Sequence, residues 1–382
     1  MKSKKNIYLM YAIVLLQGMV FYSPIATIYR QANGLSLFQI TLIESISYIL
    51  CILFEIPWGI IADKIGYKKT MCFCCSLYFV SKIVFWQATN FWEFLLERIM
   101  LSIVIAGLSG VDISILYLSC SKGESQKVFG VYNSLSVIGL LFASFIFSIF
   151  VGSDYKVAVF LTINTYGLAT ILSFFLEEVK NEEKYTTQLF DIKEIFMQTM
   201  KNKRFIIFLI SVAFLSQSHQ MITVFLNQVQ YEKCGLSAFA MGYIYIGVTL
   251  VGLFGVLSDK LTQKLGERQM GVVLYFVAII SCLVLAFTNK ALFSVFGVLV
   301  FNVMNSFYQP YQMELQNKQV LSKNRATVLS VYAMIVDSVS AGTSVLFGVF
   351  ANLSLKLAFL FGAVLCFLGL LFFDSWYQHK KV

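Results

Sequence analysis

Charge is scarce in this sequence. Only 13% of its 382 residues are Asp, Glu, Lys or Arg, against about 25% in a soluble globular chain. Proline is scarcer still, at three residues. This profile excludes a collagen-like chain, a disordered one and a disulfide-rich secreted module. No Gly-x-x-x-x-Gly-Lys-Ser/Thr loop occurs, and the short segments between apolar runs leave no room for an ATP-hydrolysing domain. What is abundant is apolar surface: 58% of residues, with 37 Phe and 20 Tyr, and a mean hydropathy of +0.77. The chain reads as an integral membrane protein. A net charge of +9 points to nucleic acid only when basic residues cluster on one soluble face. Here they punctuate apolar runs, so the expected partner is the lipid bilayer and no nucleic acid.

A helix needs about 20 apolar residues to cross the hydrocarbon core. Twelve such runs are expected, near 7–29, 37–62, 69–88, 91–119, 127–151, 155–176, 205–230, 237–258, 269–288, 291–316, 326–352 and 355–376. The runs are continuous rather than alternating, which disfavours a β-barrel. The first is too long for a signal peptide and lacks a small-residue cleavage pattern. An even count puts both termini on one side. That side carries 22 Lys and Arg, against five on the other (Arg30, Lys156, Lys233, Lys290 and Lys356), which predicts cytoplasmic termini in a cytoplasmic (inner or plasma) membrane. The long central loop, 178–204, carries Leu189, Ile192, Ile195, Phe196 and Met200 on one helical face and predicts a short interfacial helix. Cys72, Cys74 and Cys75 are expected to be packing residues at a helix start. No metal and no cofactor is implied.

The chain repeats itself. GIIADKIGYKK, from Gly59, is echoed by GVLSDKLTQKLGER, from Gly255, with Asp259 matching Asp63 and about four extra residues. A weaker match pairs the stretch from Lys127 with the stretch from Ala326. Paired repeats are a transporter signature. The first loop, with Gly59, Asp63, Lys64, Gly66, Lys68 and Lys69, resembles the G-x-x-x-D-(R/K)-x-G-(R/K)-(R/K) loop of the major facilitator superfamily. Its Glu55-Ile-Pro57-Trp-Gly59 lead-in and the Arg325-Ala-Thr-Val-Leu-Ser stretch before the eleventh span are similar to that family too. The resemblance extends to bacterial drug-exporter-like members. It implies an all-α membrane protein of twelve transmembrane helices in two pseudo-symmetric six-helix bundles, 1–177 and 205–382. It also implies a monomer, and a gating role for Asp63 at the cytoplasmic seam between the halves. There a helix N-terminus favours a carboxylate by about 0.3–1 kcal/mol.

Ionisable groups inside a membrane are costly and mark function. The candidates are Glu44, Glu55, Lys82, Glu97, Arg98, Asp112, Glu314 and Asp337. Arg98, Ser102, Ile105, Ser109 and Asp112 share one face if the fourth span is a continuous helix. Depth along the spans brings Glu44 level with Lys82 and Arg98 and predicts a Glu44–Lys82 or Glu44–Arg98 pair. Glu314 is expected near Arg325. His219 either titrates near neutral pH or is a hydrogen-bonded, non-titrating residue. By the resemblance, spans 1, 4, 7 and 10 line the cavity. That places Gln220 of span 7, and Asn305 and Gln309 of span 10, beside Glu44, Arg98, Asp112, His219 and Asp337 as proton-coupling or substrate residues.

The expected function is secondary active transport of a small molecule by alternating access. Proton-coupled export of amphipathic compounds is the first expectation. The fifth span keeps Gly139 but lacks the Gly-Pro pair of many exporters in the family, which weighs against antiport. The alternatives are an uptake symporter or uniporter for a small metabolite, and a non-transporting sensor or scaffold. No nucleophile–base constellation suggests an enzyme.

Overall fold

The computed structural model describes residues 4–120, 125–152, 154–179, 195–197, 199–319 and 325–378. Side chains at 56, 59, 60, 63, 125–127, 253, 256 and 325–327 lie outside that description. Among the described residues there is helix and no strand. The apolar runs become helices because a helix satisfies its own N–H and C=O groups where no water is present to do so. Among the described residues, eleven segments are long and apolar enough to cross a membrane.

The eighth expected span, 237–258, departs from the pattern. Helix Ala238–Val251 has 14 residues and passes into the 3-10 stretch Gly252–Leu257, then helix Ser258–Leu265. A Cβ at Gly255 would lie 2.8 Å from the Ser306 carbonyl oxygen, so this backbone runs against helix Ala291–Lys318 with no room for a side chain. Other spans are interrupted as well. The first divides into Lys4–Gly18, Ser23–Ile25 and Ala26–Ala32. The fourth divides into Phe91–Leu108 and Val111–Ser119 around Gly110, which sits at φ +81. The seventh contains a π-helical stretch, Met221–Leu226, an irregularity found most often at functional sites.

The repeat is visible in the backbone. Gly66 (φ 98, ψ 151) precedes helix Tyr67–Gln87, and Gly266 (φ 84, ψ 152) precedes helix Glu267–Phe287, each of 21 residues. Only glycine adopts that region freely. Later helices start at Phe91 and Ala291, at Ser125 and Arg325, and at Tyr155 and Leu355, each pair again 200 residues apart.

The chain forms two compact units. The first comprises Met1–Leu35, Ile46–Lys184 and Ser237–Ile246; the second comprises Ser36–Ser45, Tyr185–Leu236 and Gly247–Val382. In the first, a Cβ at Gly18 would meet the Ser136 carbonyl and one at Gly139 would meet the Leu15 carbonyl. Spans 1 and 5 therefore touch backbone to backbone, the small-residue packing that holds helices together in lipid. Buried Asn6 donates to the Glu177 carbonyl at 2.9 Å and accepts from the Glu177 N–H at 2.8 Å, tying the first helix to the end of the sixth span. In the second unit, Tyr275 donates to the Ser211 carbonyl at 2.9 Å and lies 3.2 Å from the Tyr308 hydroxyl. Ser45 donates to the Ala341 carbonyl at 2.6 Å, and Ser344 to the Thr41 carbonyl at 3.1 Å.

Candidate functional site

Among the described residues, the most buried charges of the first unit meet one another. Lys82 Nζ lies 3.6 Å from Glu97 Oε1, with side-chain exposures of 3% and 0%. The hairpin between spans 3 and 4 brings them level. Helix Tyr67–Gln87 ends five residues after Lys82, and helix Phe91–Leu108 begins six residues before Glu97. At 1.5 Å per residue both sit roughly 8–9 Å from the turn. Asn90 fixes the turn by accepting from the Trp92 and Glu93 N–H groups at 3.1 and 3.2 Å. Depth along the spans had allowed a Glu44–Lys82 or a Glu44–Arg98 pair; for Lys82 the structure supplies Glu97.

Aromatic rings surround the ammonium. Lys82 Nζ is 4.9 Å from the Tyr78 ring centroid, 5.5 Å from Tyr166 and 5.6 Å from Tyr22. It also donates to the Tyr22 hydroxyl at 2.9 Å. Phe85 stacks on Tyr22 at 4.6 Å, and the Arg30 guanidinium lies 5.3 Å over the Phe85 ring. Glu97, Arg30 and Arg98 all act electrostatically on the Tyr22 hydroxyl. Two further polar residues of the fourth span are bonded within this unit. Ser102, fully buried, pairs with Ser47 at 2.8 Å and donates to the Arg98 carbonyl at 2.9 Å. Asp112 Oδ2 accepts from Tyr132 at 3.2 Å, and Oδ1 accepts from the Ile113 N–H at 2.7 Å.

The single polar stripe expected along span 4 is therefore not formed. Gly110 breaks the helix between Ser109 and Asp112, so the 100° periodicity does not carry across. Asp112 is a first-turn carboxylate of its own helix, favourably placed against that helix's dipole.

In the second unit, the site expected from spans 7 and 10 is neutral. His219 Nε2 lies 3.1 Å from Asn302 Oδ1 and 3.2 Å from Thr223 Oγ1. The Asn302 amide nitrogen is used on the Val298 carbonyl at 2.9 Å, and the Thr223 hydroxyl on the His219 carbonyl at 2.9 Å. Both groups thus turn acceptors toward Nε2. This network assigns the proton to Nε2 and leaves Nδ1 as the ring's acceptor. Phe301 packs edge-on at 5.5 Å. One turn along, Asn305 Oδ1 is buried and takes no donor among the described residues. Gln220 and Asp337 are half-buried and Gln309 is exposed, bonded to Gln312 at 3.3 Å. Glu44 is buried.

Around the loop motif, Glu178 lies against Gly66 and accepts from the Lys68 N–H at 3.2 Å. Lys64 and Lys69 are exposed, and Asp259 accepts from Gln263 at 2.7 Å. The side chains of Gly59, Asp63 and Arg325 lie outside the described residues. Glu314, expected near Arg325, forms an ion pair with Lys318 at 3.3 Å, one turn along its own helix. Of the expected interfacial helix, Leu189 and Ile192 fall outside the described residues, while 195–197 and 199–201 are helical with Phe196 and Met200 exposed. Cys74 and Cys75 are buried packing residues, Cys75 accepting from Gln17 at 3.4 Å. Sequence reasoning named Glu97 only as one charge among several; its near-equal distance with Lys82 from the 88–90 turn is the signal that could have found the pair.

Together the helices and the buried intramembrane charges define a multi-pass membrane protein. The family model described as Major Facilitator Superfamily matches residues 7–344, and the chain belongs to that family. It is 24% identical over 334 residues to an uncharacterised transporter of Buchnera aphidicola, covering 83% of this chain and 82% of that protein. Among solved structures it is similar to the nucleoside transporter NupG in a mutant form, with a TM-score of 0.84, 15% identity, and 97% of this chain and 100% of that chain covered. It is also similar to a bacterial homologue of the human lysosomal transporter Spinster, at 0.77 and 16%, with 99% of each chain covered. The protein is a transporter of small molecules and not an enzyme.

Proposed function

We propose that this transporter carries a small, uncharged solute with several hydrogen-bonding groups, of the kind a sugar or nucleoside presents, and that it moves the solute together with a proton. The observation that carries the reading is the neutral group of side chains in the second unit. His219 Nδ1 is left as an acceptor, and the buried Asn305 oxygen has no donor among the described residues. A solute hydroxyl or N–H supplies what they lack. A site that leaves such groups unpaired discriminates strongly against solutes without them. A gradient as the energy source is part of this reading, supported by the lack of a nucleotide-binding loop in the sequence; a unit charge crossing 100 mV releases about 2.3 kcal/mol.

The test is flux in proteoliposomes holding the purified full chain under an imposed pH gradient. Labelled nucleosides and monosaccharides form one panel and cationic amphiphiles the other. The expected result is uptake of a neutral solute with protons moving the same way. Asn305→Ala is expected to lower that uptake about tenfold, the loss of one hydrogen bond. Proton efflux triggered by amphiphiles alone would replace this reading with export.

A further inference from the structure

Glu97 is fully buried, and neither of its carboxylate oxygens takes a hydrogen bond from any of the described residues. Its ion-pair partner among the described residues is Lys82, at 3.6 Å. A tightly made ion pair sits at about 2.7–2.9 Å with the carboxylate's remaining lone pairs satisfied. The Glu97 carboxylate is under-bonded by that standard. Lys82 is not. Three tyrosine rings and the Tyr22 hydroxyl hold its ammonium without help from the carboxylate, and such faces favour a desolvated cation. The two partners are thus supported unequally.

We propose that Glu97 is a proton-binding carboxyl of the transport cycle, with Lys82 as its fixed counter-ion in the tyrosine cage. This rests on the proton-coupled reading above. When a proton adds to a Glu97 oxygen the carboxylate charge is lost. The Lys82 ammonium keeps all three protons and its bond to Tyr22, so no unsupported cation is left behind. When the proton leaves, the pair reforms. The protonated and ionised states therefore differ in whether spans 3 and 4 are drawn together electrostatically, which is a difference that a two-state element can use.

The titratable and charged groups around the pair are Tyr22 and Arg30 of the first span, Tyr78 of the third, Tyr166 of the sixth, and Glu93 and Arg98 on the helix of Glu97 itself. Helix Leu37–Ile65 also touches that helix, through Ser47 and Ser102, and its ionisable residues flanking the contact are Glu44 and Glu55. None of these is placed to donate a hydrogen bond to Glu97.

The test is infrared difference spectroscopy of the full-length protein in lipid nanodiscs, acid minus alkaline. The readout is the carboxylic-acid C=O stretch. The wild-type protein is expected to show a band that Glu97→Gln lacks. Lys82→Met is expected to keep the band and carry it to higher pH, because a cation opposing protonation is gone. Should Glu97→Gln fold poorly with Lys82 left unpaired, the neutral Lys82→Met/Glu97→Gln double variant must lack the band as well. An identical spectrum in Glu97→Gln or in the double variant overturns the proposal. So does proton-driven flux at the wild-type rate in Glu97→Gln. Wild-type flux that ignores the pH gradient, with the Glu97 band present, would sink the symport reading and not the site.

Discussion

At Lys82 and Glu97 two charges that the bilayer would reject are made tolerable by each other and by three tyrosines. Removing Lys82 leaves the under-bonded Glu97 carboxylate buried without compensation, at about 3–5 kcal/mol. Lys82→Met is accordingly expected to lower the stability of the detergent-solubilised protein by that order in denaturant unfolding, and Lys82→Met/Glu97→Gln to recover most of it. Equal instability of single and double variants would mean that the tyrosine packing, rather than the charge pair, holds this region. His219 shows the opposite device. Its Nε2 is bonded to a neutral amide and a hydroxyl, so the polarity around that nitrogen is hydrogen-bonding rather than ionic. From sequence its titrating and non-titrating readings were equally open, because the choice depends on Asn302, 83 residues away.

Glycine decides much of the architecture at the scale of elements. Gly18 and Gly139 let the first and fifth spans touch through their backbones. Gly139→Ala puts a methyl against the Leu15 carbonyl and is expected to cost about 1–3 kcal/mol by overpacking. Thermal unfolding in detergent reads this, and an unchanged midpoint would mean that the helices separate freely. The same residue was noted in the sequence only for the proline it lacks beside it. Gly110 had the larger consequence. It turns one expected span into two helices, so helical periodicity no longer relates Asp112 to Arg98. Hydropathy does not register such a break, because an αL glycine inside an apolar run changes backbone direction without changing composition.

For the whole molecule, the two halves repeat with a spacing of 200 residues, from the positive-φ glycines Gly66 and Gly266 to the last pair of helices. Two predictions belong here. Asp63→Asn is expected to leave membrane insertion intact and lower transport several-fold, as the loss of a carboxylate from a helix N-terminus implies. Undiminished flux at normal membrane levels would remove the gating role. The 22-to-5 split of basic residues predicts that N- and C-terminal tags are both protected from protease added outside intact cells. Cleavage of either tag would reverse the orientation.

Composition and hydropathy by themselves determined that the chain is a helical membrane protein, close to its span count, and the loop repeat indicated its family. These are local properties. A run of twenty apolar residues has one stable form in lipid, and a loop motif is contiguous in the chain. Tertiary structure alone decided which buried charges are partners, where helices break, and which polar groups are left unbonded. Glu97 rather than Glu44 faces Lys82 because a tight hairpin sets their depth together. Asn305 Oδ1 is buried and takes no donor among the described residues. Those outcomes depend on pairings between distant residues, and one-dimensional periodicity does not carry them.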